Sequence, residues 1–108
     1  MLSGYRLMWM MVMFDLPVLE KQERKAAADF RKALLDMGFE MCQFSVYARF
    51  CSSHSQFDTY LKRVEGILPA GGKVSVLQFT DKQYERVVTF HRAARQPAME
   101  PPEQFELF

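Results

Sequence analysis

Asp15 is the side chain whose position in the sequence best suits chemistry. It follows the unbroken apolar run 8–14 and stands two residues before Pro17. This run is far shorter than the ~20 apolar residues of a membrane span and suits a strand buried on both faces. Leu16, as the residue before proline, is biased towards extended backbone. Asp15 is therefore predicted at the tip of a buried strand, either as a turn-capping acid or as a metal ligand.

A single carboxylate is a weak metal site. Mg²⁺ in proteins takes one or two carboxylates together with phosphate oxygens and water. A two-fold homodimer would bring a second copy of Asp15 to the first, and the two could share Mg²⁺ or Mn²⁺. An ion held in this way can activate water for attack on a phosphodiester and can stabilise the leaving oxygen.

Basic residues near Asp15 are candidates for a phosphate-binding rim. Four lie on the predicted helix that follows Asp15, and one lies on the predicted polar side of the next strand. They are Lys21, Arg24, Lys25, Arg31 and Arg49. Such side chains neutralise nucleic-acid phosphates, although a charged helix face is also ordinary solvated surface. The formal net charge of +1 neither requires nor excludes a nucleic-acid partner, because local clustering matters more than the sum.

Other catalytic signatures are absent from the sequence. There is no glycine-rich nucleotide loop, no His-Glu-x-x-His and no Gly-x-Ser-x-Gly. His54 and His91 are interpreted as surface residues, and Cys42 and Cys51 as reduced apolar side chains, because no Cys-x-x-Cys occurs. No signal-peptide pattern opens the chain, so we expect a cytoplasmic protein without a membrane partner.

Hydrophobic periodicity predicts the elements that must position these residues. The length of 108 residues suits one domain. In the first helix, Ala27, Phe30 and Leu34 recur at spacings of three and four and form one apolar stripe. The pattern predicts a turn at 80–83. It predicts strands at 8–14, 39–50, 73–79 and 86–90, and helices at 19–37 and 56–68.

The order of these elements predicts an α+β fold. It is β-α-β-α-β-β, or β-α-β-β-α-β if the segment 39–50 breaks near Gln43. Either order suits two helices on one face of an antiparallel-rich sheet, and the ferredoxin-like sandwich is the leading arrangement. Residues 1–92 are predicted to form this domain. Residues 93–108 are predicted as a C-terminal tail, with a linker over 91–102 and an extra strand at 105–108 for the dimer or a partner.

The first strand also predicts a cover for the second face of the sheet. Trp9, Met11 and Met13 are as apolar as the residues that alternate with them, whereas a half-exposed strand alternates with polar residues. A chain of 108 residues leaves no obvious third layer, so a second copy is the simplest cover. The sequence therefore predicts a two-fold homodimer formed through the sheet faces.

Four segments, taken in order, resemble a known family. They are Phe-Asp-Leu-Pro at 14–17, Phe-Arg-Lys-Ala-Leu-Leu at 30–35, Met-Gly-Phe with Gln-Phe-Ser-Val-Tyr over 37–47, and Lys-Val-Ser-Val-Leu-Gln-Phe-Thr-Asp-Lys-Gln at 73–83. Together they resemble the small adaptation protein of CRISPR systems, the second of the numbered Cas families. The detail is most similar to versions that accompany a single large effector nuclease, and the resemblance covers residues 5–92.

The resemblance implies a function in spacer acquisition. It implies a ferredoxin-like homodimer whose two Asp15 residues share a metal ion. That dimer would bridge subunits of the CRISPR integrase and bind double-stranded DNA, the prespacer. The resemblance also implies metal-dependent endonuclease activity on RNA or DNA, which integration does not need. The alternatives are a toxin-type ribonuclease and a non-catalytic RNA-binding module of the same fold.

Overall fold

The computed structural model describes residues 7–91, 94–96 and 98. The first six elements appear in the order β-α-β-β-α-β, which confirms the α+β prediction. In chain order the elements are β1 (Met8–Asp15), α1 (Lys21–Asp36), β2 (Glu40–Gln43), β3 (Val46–Cys51), α2 (His54–Gly66), β4 (Lys73–Thr80), α3 (Asp81–Tyr84), β5 (Thr89–His91) and β6 (Ala94–Gln96).

The strands β1 to β4 form one antiparallel sheet in the order β2-β3-β1-β4. β1 is central, with β3 on one side and β4 on the other. This order follows when each helix returns the chain across one face of the sheet, and it is the ferredoxin-like arrangement. The strand that ends in Asp15 therefore has β4 beside it as far as Asp15 and β3 beside it as far as Met13.

The main core lies between the sheet and the two long helices. Alternate residues of β1, from Met8 to Phe14, pack against Phe30 and Leu34 of α1 and against α2. The apolar stripe predicted for α1 is confirmed, because Ala27, Phe30 and Leu34 are its buried residues. The side chains of α1 that bear charge are left on its outer faces.

The segment predicted as one strand at 39–50 is two strands. β2 and β3 are joined by a tight turn at Phe44 and Ser45, and the pairing register shifts between Met41 and Gln43. Ser45 has a φ of +66°, a left-handed conformation that a strand cannot contain. The alternative with a break near Gln43 is therefore right.

A third layer covers one end of the second sheet face, contrary to the expectation that none exists. Trp9 lies on this face and is 3 % exposed. Its ring stacks on Tyr84 of α3 at 4.3 Å, and its Nε1 donates a hydrogen bond to Asp81 at 3.1 Å. The turn predicted at 80–83 is instead a short helix, because Thr80 and Gln83 form a reciprocal capping box at its start.

The other end of this face, which we call the open face, remains accessible. Met13 is 41 % exposed and Met41 is 57 % exposed. Beside them lies a groove of 960 Å³ between the sheet and the segment that carries β5. Apolar residues dominate its lining, among them Met11, Met13, Met41, Val46, Phe79, Val87 and Phe90.

Two strands near the C-terminus differ from the predicted secondary structure. β5 begins at Thr89, later than the strand predicted at 86–90, and it pairs antiparallel with β6. β6 lies within the segment 91–102 that was predicted as a linker, so 94–96 is a strand. The predicted strand at 105–108 lies outside the described residues. In the described part of the chain, none of the helices combines the length and the apolar character that crossing a bilayer demands.

Candidate metal centre and nucleic-acid interface

Asp15 is the last residue of β1, and its side chain is exposed. Successive side chains of a strand point to opposite faces, so Asp15 shares the open face with Met13. Lys73, the first residue of β4, stands directly opposite Asp15 in the register. The carboxylate thus lies at the rim of an apolar face, with a lysine opposite it on the neighbouring strand.

Two tight backbone contacts fix the position of this strand end. The amide of Phe14 donates a hydrogen bond to the carbonyl of Ser45 at 3.1 Å, which ties β1 to the turn between β2 and β3. On the other side Gly72 has a φ of +87°, and a Cβ there would lie 2.6 Å from the carbonyl oxygen of Asp15. Only glycine allows this approach, because any side chain would collide with backbone.

A depression of 380 Å³ surrounds the Asp15 side chain. It is lined by Met13, Phe14, Asp15, Phe44, Ser45, Val46, Lys73 and Ser75. Lys73 is a member that sequence reasoning missed. The signal was present, because antiparallel pairing sets the first residue of the strand predicted at 73–79 against the end of the first strand.

The ligand set of one copy is incomplete for a tightly bound divalent ion. Within the residues that the structure describes, His, Cys, Asp and Glu side chains nowhere assemble into a group of three or more. Asp15 supplies one carboxylate, and the hydroxyls of Ser45 and Ser75 line the same depression. This set fits Mg²⁺ or Mn²⁺ only if a second carboxylate, water or substrate phosphate completes it.

The first three predicted rim residues lie together near the start of α1. Lys21 is exposed at the first position of the helix. Arg24 is exposed and donates through Nη1 to the carbonyls of Val18 and Leu19, at 3.2 and 2.7 Å. Lys25 forms an ion pair with Asp29 at 2.8 Å, and both side chains remain largely exposed. These residues present positive charge to solvent on one helix.

Arg31 also belongs to α1, but its guanidinium packs on aromatic rings. It lies 4.7 Å from the centre of Phe44 and 5.9 Å from that of Phe14. Because Phe14 and Phe44 both line the depression around Asp15, Arg31 borders the same end of the sheet. Arg31 is the member of the predicted rim whose ring contacts include residues that line the Asp15 depression.

Arg49 lies elsewhere. The side of its strand that was predicted to be polar faces the helices, and Arg49 is half-buried over Tyr60 at 3.8 Å. It pairs with Met10, five residues before Asp15, which is about 17 Å along the strand. Arg63, which sequence reasoning missed, approaches the same ring at 4.8 Å. The predicted rim is therefore divided between two surfaces.

Among the residues that the structure describes, the cysteines and histidines supply no second site. Cys42 and Cys51 are not joined in a disulfide. Burial raises the pKa of both thiols, so they stay protonated at neutral pH and are poor nucleophiles. His54 and His91 are exposed, as predicted.

Comparison with known families gives a match over most of the sheet and helices. The family model described as CRISPR associated protein Cas2 matches residues 8–87. The chain belongs to the Cas2 family. This confirms the resemblance carried by the four ordered segments, and it makes the chain a CRISPR-associated adaptation protein.

Curated members of the Cas2 family match this chain over nearly all of its length. A protein of Paracidovorax avenae is 67 % identical over 108 residues, which is all of both chains. A protein of Flavobacterium psychrophilum is 45 % identical over 107 residues, covering 99 % of this chain and 93 % of its own. One from Parvibaculum lavamentivorans is 44 % identical over 101 residues, or 94 % and 100 %. All three carry the name CRISPR-associated endoribonuclease Cas2.

Proposed function

We propose that this protein acts in CRISPR adaptation as a nucleic-acid-binding homodimer that bridges integrase subunits and hydrolyses phosphodiesters at paired Asp15 residues. One observation carries the catalytic part of the proposal. Asp15 is an exposed carboxylate at the rim of the open face, beside the exposed Met13. A two-fold contact through that face, with its axis near Asp15, would bring the two copies of Asp15 towards each other.

The open face supports the dimer. Exposed methionines and a large apolar groove together are unusual for a monomer in water, since such patches mark interaction surfaces. Methionine adapts its shape to a partner. α3 covers only the end at Trp9, so a second copy would bury what remains near Met13 and Met41. The same contact would complete the ligand set that Asp15 alone leaves open.

The residues of the depression would have different roles in hydrolysis. Asp15 would hold the divalent ion together with its symmetry mate, and the ion, when bound, supplies an activated water and charge for the leaving oxygen. Lys73 stands opposite Asp15, where its ammonium would attract the phosphate of the substrate. The turn at Ser45 and the glycine at Gly72 hold the strand end in place, so little reorganisation is needed on binding.

The names of the relatives support RNA as a substrate, since all three are called endoribonucleases. Double-stranded prespacer DNA would bind differently, as a scaffold contact that needs no cleavage. Lys21, Arg24 and Lys25 are exposed on one helix and could meet its phosphates. Asp15 is dispensable for that scaffold role, which separates the two activities experimentally.

A non-catalytic RNA-recognition module is the weaker alternative. Such a module presents two or three exposed aromatic side chains on its central strands for base stacking. Here Trp9 is buried under Tyr84, and its cross-strand partner Phe79 is half-buried beside it. A toxin-type ribonuclease is disfavoured by the family match.

The test compares Asp15→Asn with Asp58→Asn. Both replace an exposed carboxylate by an amide of the same shape, but Asp58 lies on α2, away from the depression. With Mg²⁺ and labelled single-stranded RNA, we expect Asp15→Asn to cleave at least about 100-fold more slowly than the parent. Asp58→Asn should match the parent, and EDTA should abolish cleavage by both.

The hydrolytic proposal is wrong if Asp15→Asn retains the parental rate, because the activity would then belong to another group or to a contaminant. The scaffold proposal has a separate readout. Asp15→Asn should still bind double-stranded DNA and should still be captured by immobilised CRISPR integrase. Loss of both in a folded variant would mean that Asp15 is structural.

A further inference from the structure

Phe44 is the most exposed phenylalanine among the residues that the structure describes. It lies in the turn between β2 and β3 and is 76 % exposed. Nothing in the core needs it there, because the buried residues of both apolar clusters come from other positions. Exposing an apolar ring to water is unfavourable, and the exposed surface of this ring is available to a partner.

The ring is held in place despite its exposure. The next residue, Ser45, is fixed in the left-handed conformation and accepts a hydrogen bond from Phe14. The Arg31 guanidinium lies 4.7 Å from the ring centre, at cation–π distance. Within the described residues, the buried Nε of Arg31 has no hydrogen-bond partner, so ring packing accounts for much of its placement.

The surroundings of the ring indicate the chemistry of a partner. Phe44 lines the same depression as Asp15, Lys73 and Ser75. Arg31 and Lys73 add two cations to this end of the sheet. A flat π surface next to positive charge suits a nucleotide, whose base stacks and whose phosphate is attracted.

We propose that Phe44, backed by Arg31, is a stacking platform for one unpaired nucleobase of a single-stranded nucleic acid, with the adjacent phosphate in the depression at Asp15 and Lys73. This subsite rests on the proposed nuclease function and adds a preference to it. A base inside a duplex is stacked on its neighbours and cannot reach the ring, so only unpaired nucleotides are selected. The platform thereby sets which phosphodiester faces Asp15.

The test measures binding of oligoadenylate RNA and of a blunt RNA duplex by Phe44→Ala, Phe44→Leu and Phe44→Trp. Phe44→Leu is the matched control, because it keeps apolar volume and loses the π face. We expect Phe44→Ala and Phe44→Leu to weaken single-strand binding by about 5- to 150-fold, and Phe44→Trp to keep it. Duplex affinity should not change. The salt slope of single-strand binding should also stay parental, since the phosphate contacts remain.

Two results would overturn the platform while leaving the proposed function standing. One is a Phe44→Leu variant that binds the single strand as tightly as the parent. The other is an equal loss for single strand and duplex, which indicates a general change of the turn. Failure of the parent itself to bind or cleave RNA would reject both the platform and the nuclease. Melting temperatures of the three variants should stay near the parental value, because the ring is outside the core.

Discussion

At the scale of single residues, the position of Lys73 opposite Asp15 in the strand register matters for a symmetric site. Two carboxylates brought together across an axis repel each other, and the repulsion grows as water is excluded. Lys73 stands opposite Asp15 in the register of the neighbouring strand, so each copy brings one lysine to the same end of the sheet. Two such lysines would reduce the repulsion between the carboxylates, and a divalent ion bound between the carboxylates would reduce it further.

The lysines of α1 differ in how far their charge is already compensated. Lys25 pairs with Asp29 at 2.8 Å, whereas Lys21 lies one turn earlier, at the first position of the helix. A side chain that contacts phosphate releases about one counterion from DNA, so its loss lowers the salt slope by about 0.9. We predict that Lys21→Gln lowers the slope for double-stranded DNA by about this amount. Titrations at several salt concentrations measure it.

Lys25→Gln provides the comparison on the same helix face. It removes the same charge, but it also frees Asp29, which then repels phosphate. If Lys25 remains paired with Asp29 in the complex, Lys25 makes no contact with phosphate. Lys25→Gln then changes the salt slope less than Lys21→Gln does. Equal slopes for the parent and Lys21→Gln would place the DNA surface elsewhere, with Arg49 and Arg63 around Tyr60 as the next cations to remove.

At the scale of elements, the connection between α2 and β4 decides where the end of β1 lies. Gly72 has a positive φ and lies against the carbonyl of Asp15 and the side chain of Leu16. We predict that Gly72→Ala lowers the free energy of unfolding by about 1–3 kcal/mol. It should also slow RNA cleavage, because the new Cβ displaces the backbone of Asp15. Thermal unfolding followed by Trp9 fluorescence gives the first quantity.

Gly66→Ala is the matched substitution for this test. Gly66 is the last residue of α2, and a Cβ there meets nothing within 4 Å. Alanine should raise the free energy of unfolding by up to about 1 kcal/mol, because it lowers the entropy of the unfolded chain. A Gly72→Ala variant as stable and as active as Gly66→Ala would show that the approach to Asp15 does not constrain the site.

The elements also show which features can be predicted from sequence. The strand before Asp15 and the stripe of α1 follow from uninterrupted apolarity and from helical spacing, and both elements are confirmed. Burial of that strand on both faces is not, because Met13 is exposed in one copy. The turn at Ser45 interrupts a continuous apolar and polar alternation without proline or glycine, so only weak local signals mark it. The same turn removes Phe44 from the alternation, which is why its exposure could not be predicted.

The cover over Trp9 could not be predicted for another reason. α3 has four residues, too few for a periodic pattern, and its capping box at Thr80 and Gln83 resembles an ordinary polar turn. Its one buried residue, Tyr84, becomes recognisable as a cover only when the sheet places Trp9 beneath it. Long-range packing of this kind leaves no trace in local sequence. The second face of the sheet does need a cover at Trp9, as predicted, but the cover at this end is α3 and not a second copy of the chain.

At the scale of the whole molecule, the two faces of the sheet have different tasks. α1 and α2 close one face with the main core, and that layer carries the exposed cations of the proposed DNA surface. The second face is closed at Trp9 and open around Met13. Asp15 lies at the open end, where the described residues of one copy leave Met13 exposed and supply a single carboxylate to the depression. Dimer formation and metal binding are therefore coupled in the proposed function, and each should depend on the other.

Met13→Glu tests the coupling between dimer formation and metal binding without disturbing the fold of the monomer. Met13 is 41 % exposed, so a charge there is solvated in the monomer, whereas Met11 is half-buried and its replacement would also strain the core. In the dimer each new carboxylate would be buried without a partner, so we predict a dissociation constant at least about 100-fold higher. Light scattering measures the mass of the particle. The rate of RNA cleavage reports on the paired Asp15 site, and this activity should be lost with the dimer.

Leu35→Glu, at a 52 % exposed position on α1, is the control and should stay dimeric and active. A folded Met13→Glu monomer that cleaves at the parental rate would disprove the paired Asp15 site, and a Met13→Glu dimer as tight as the parent would disprove the contact through the open face.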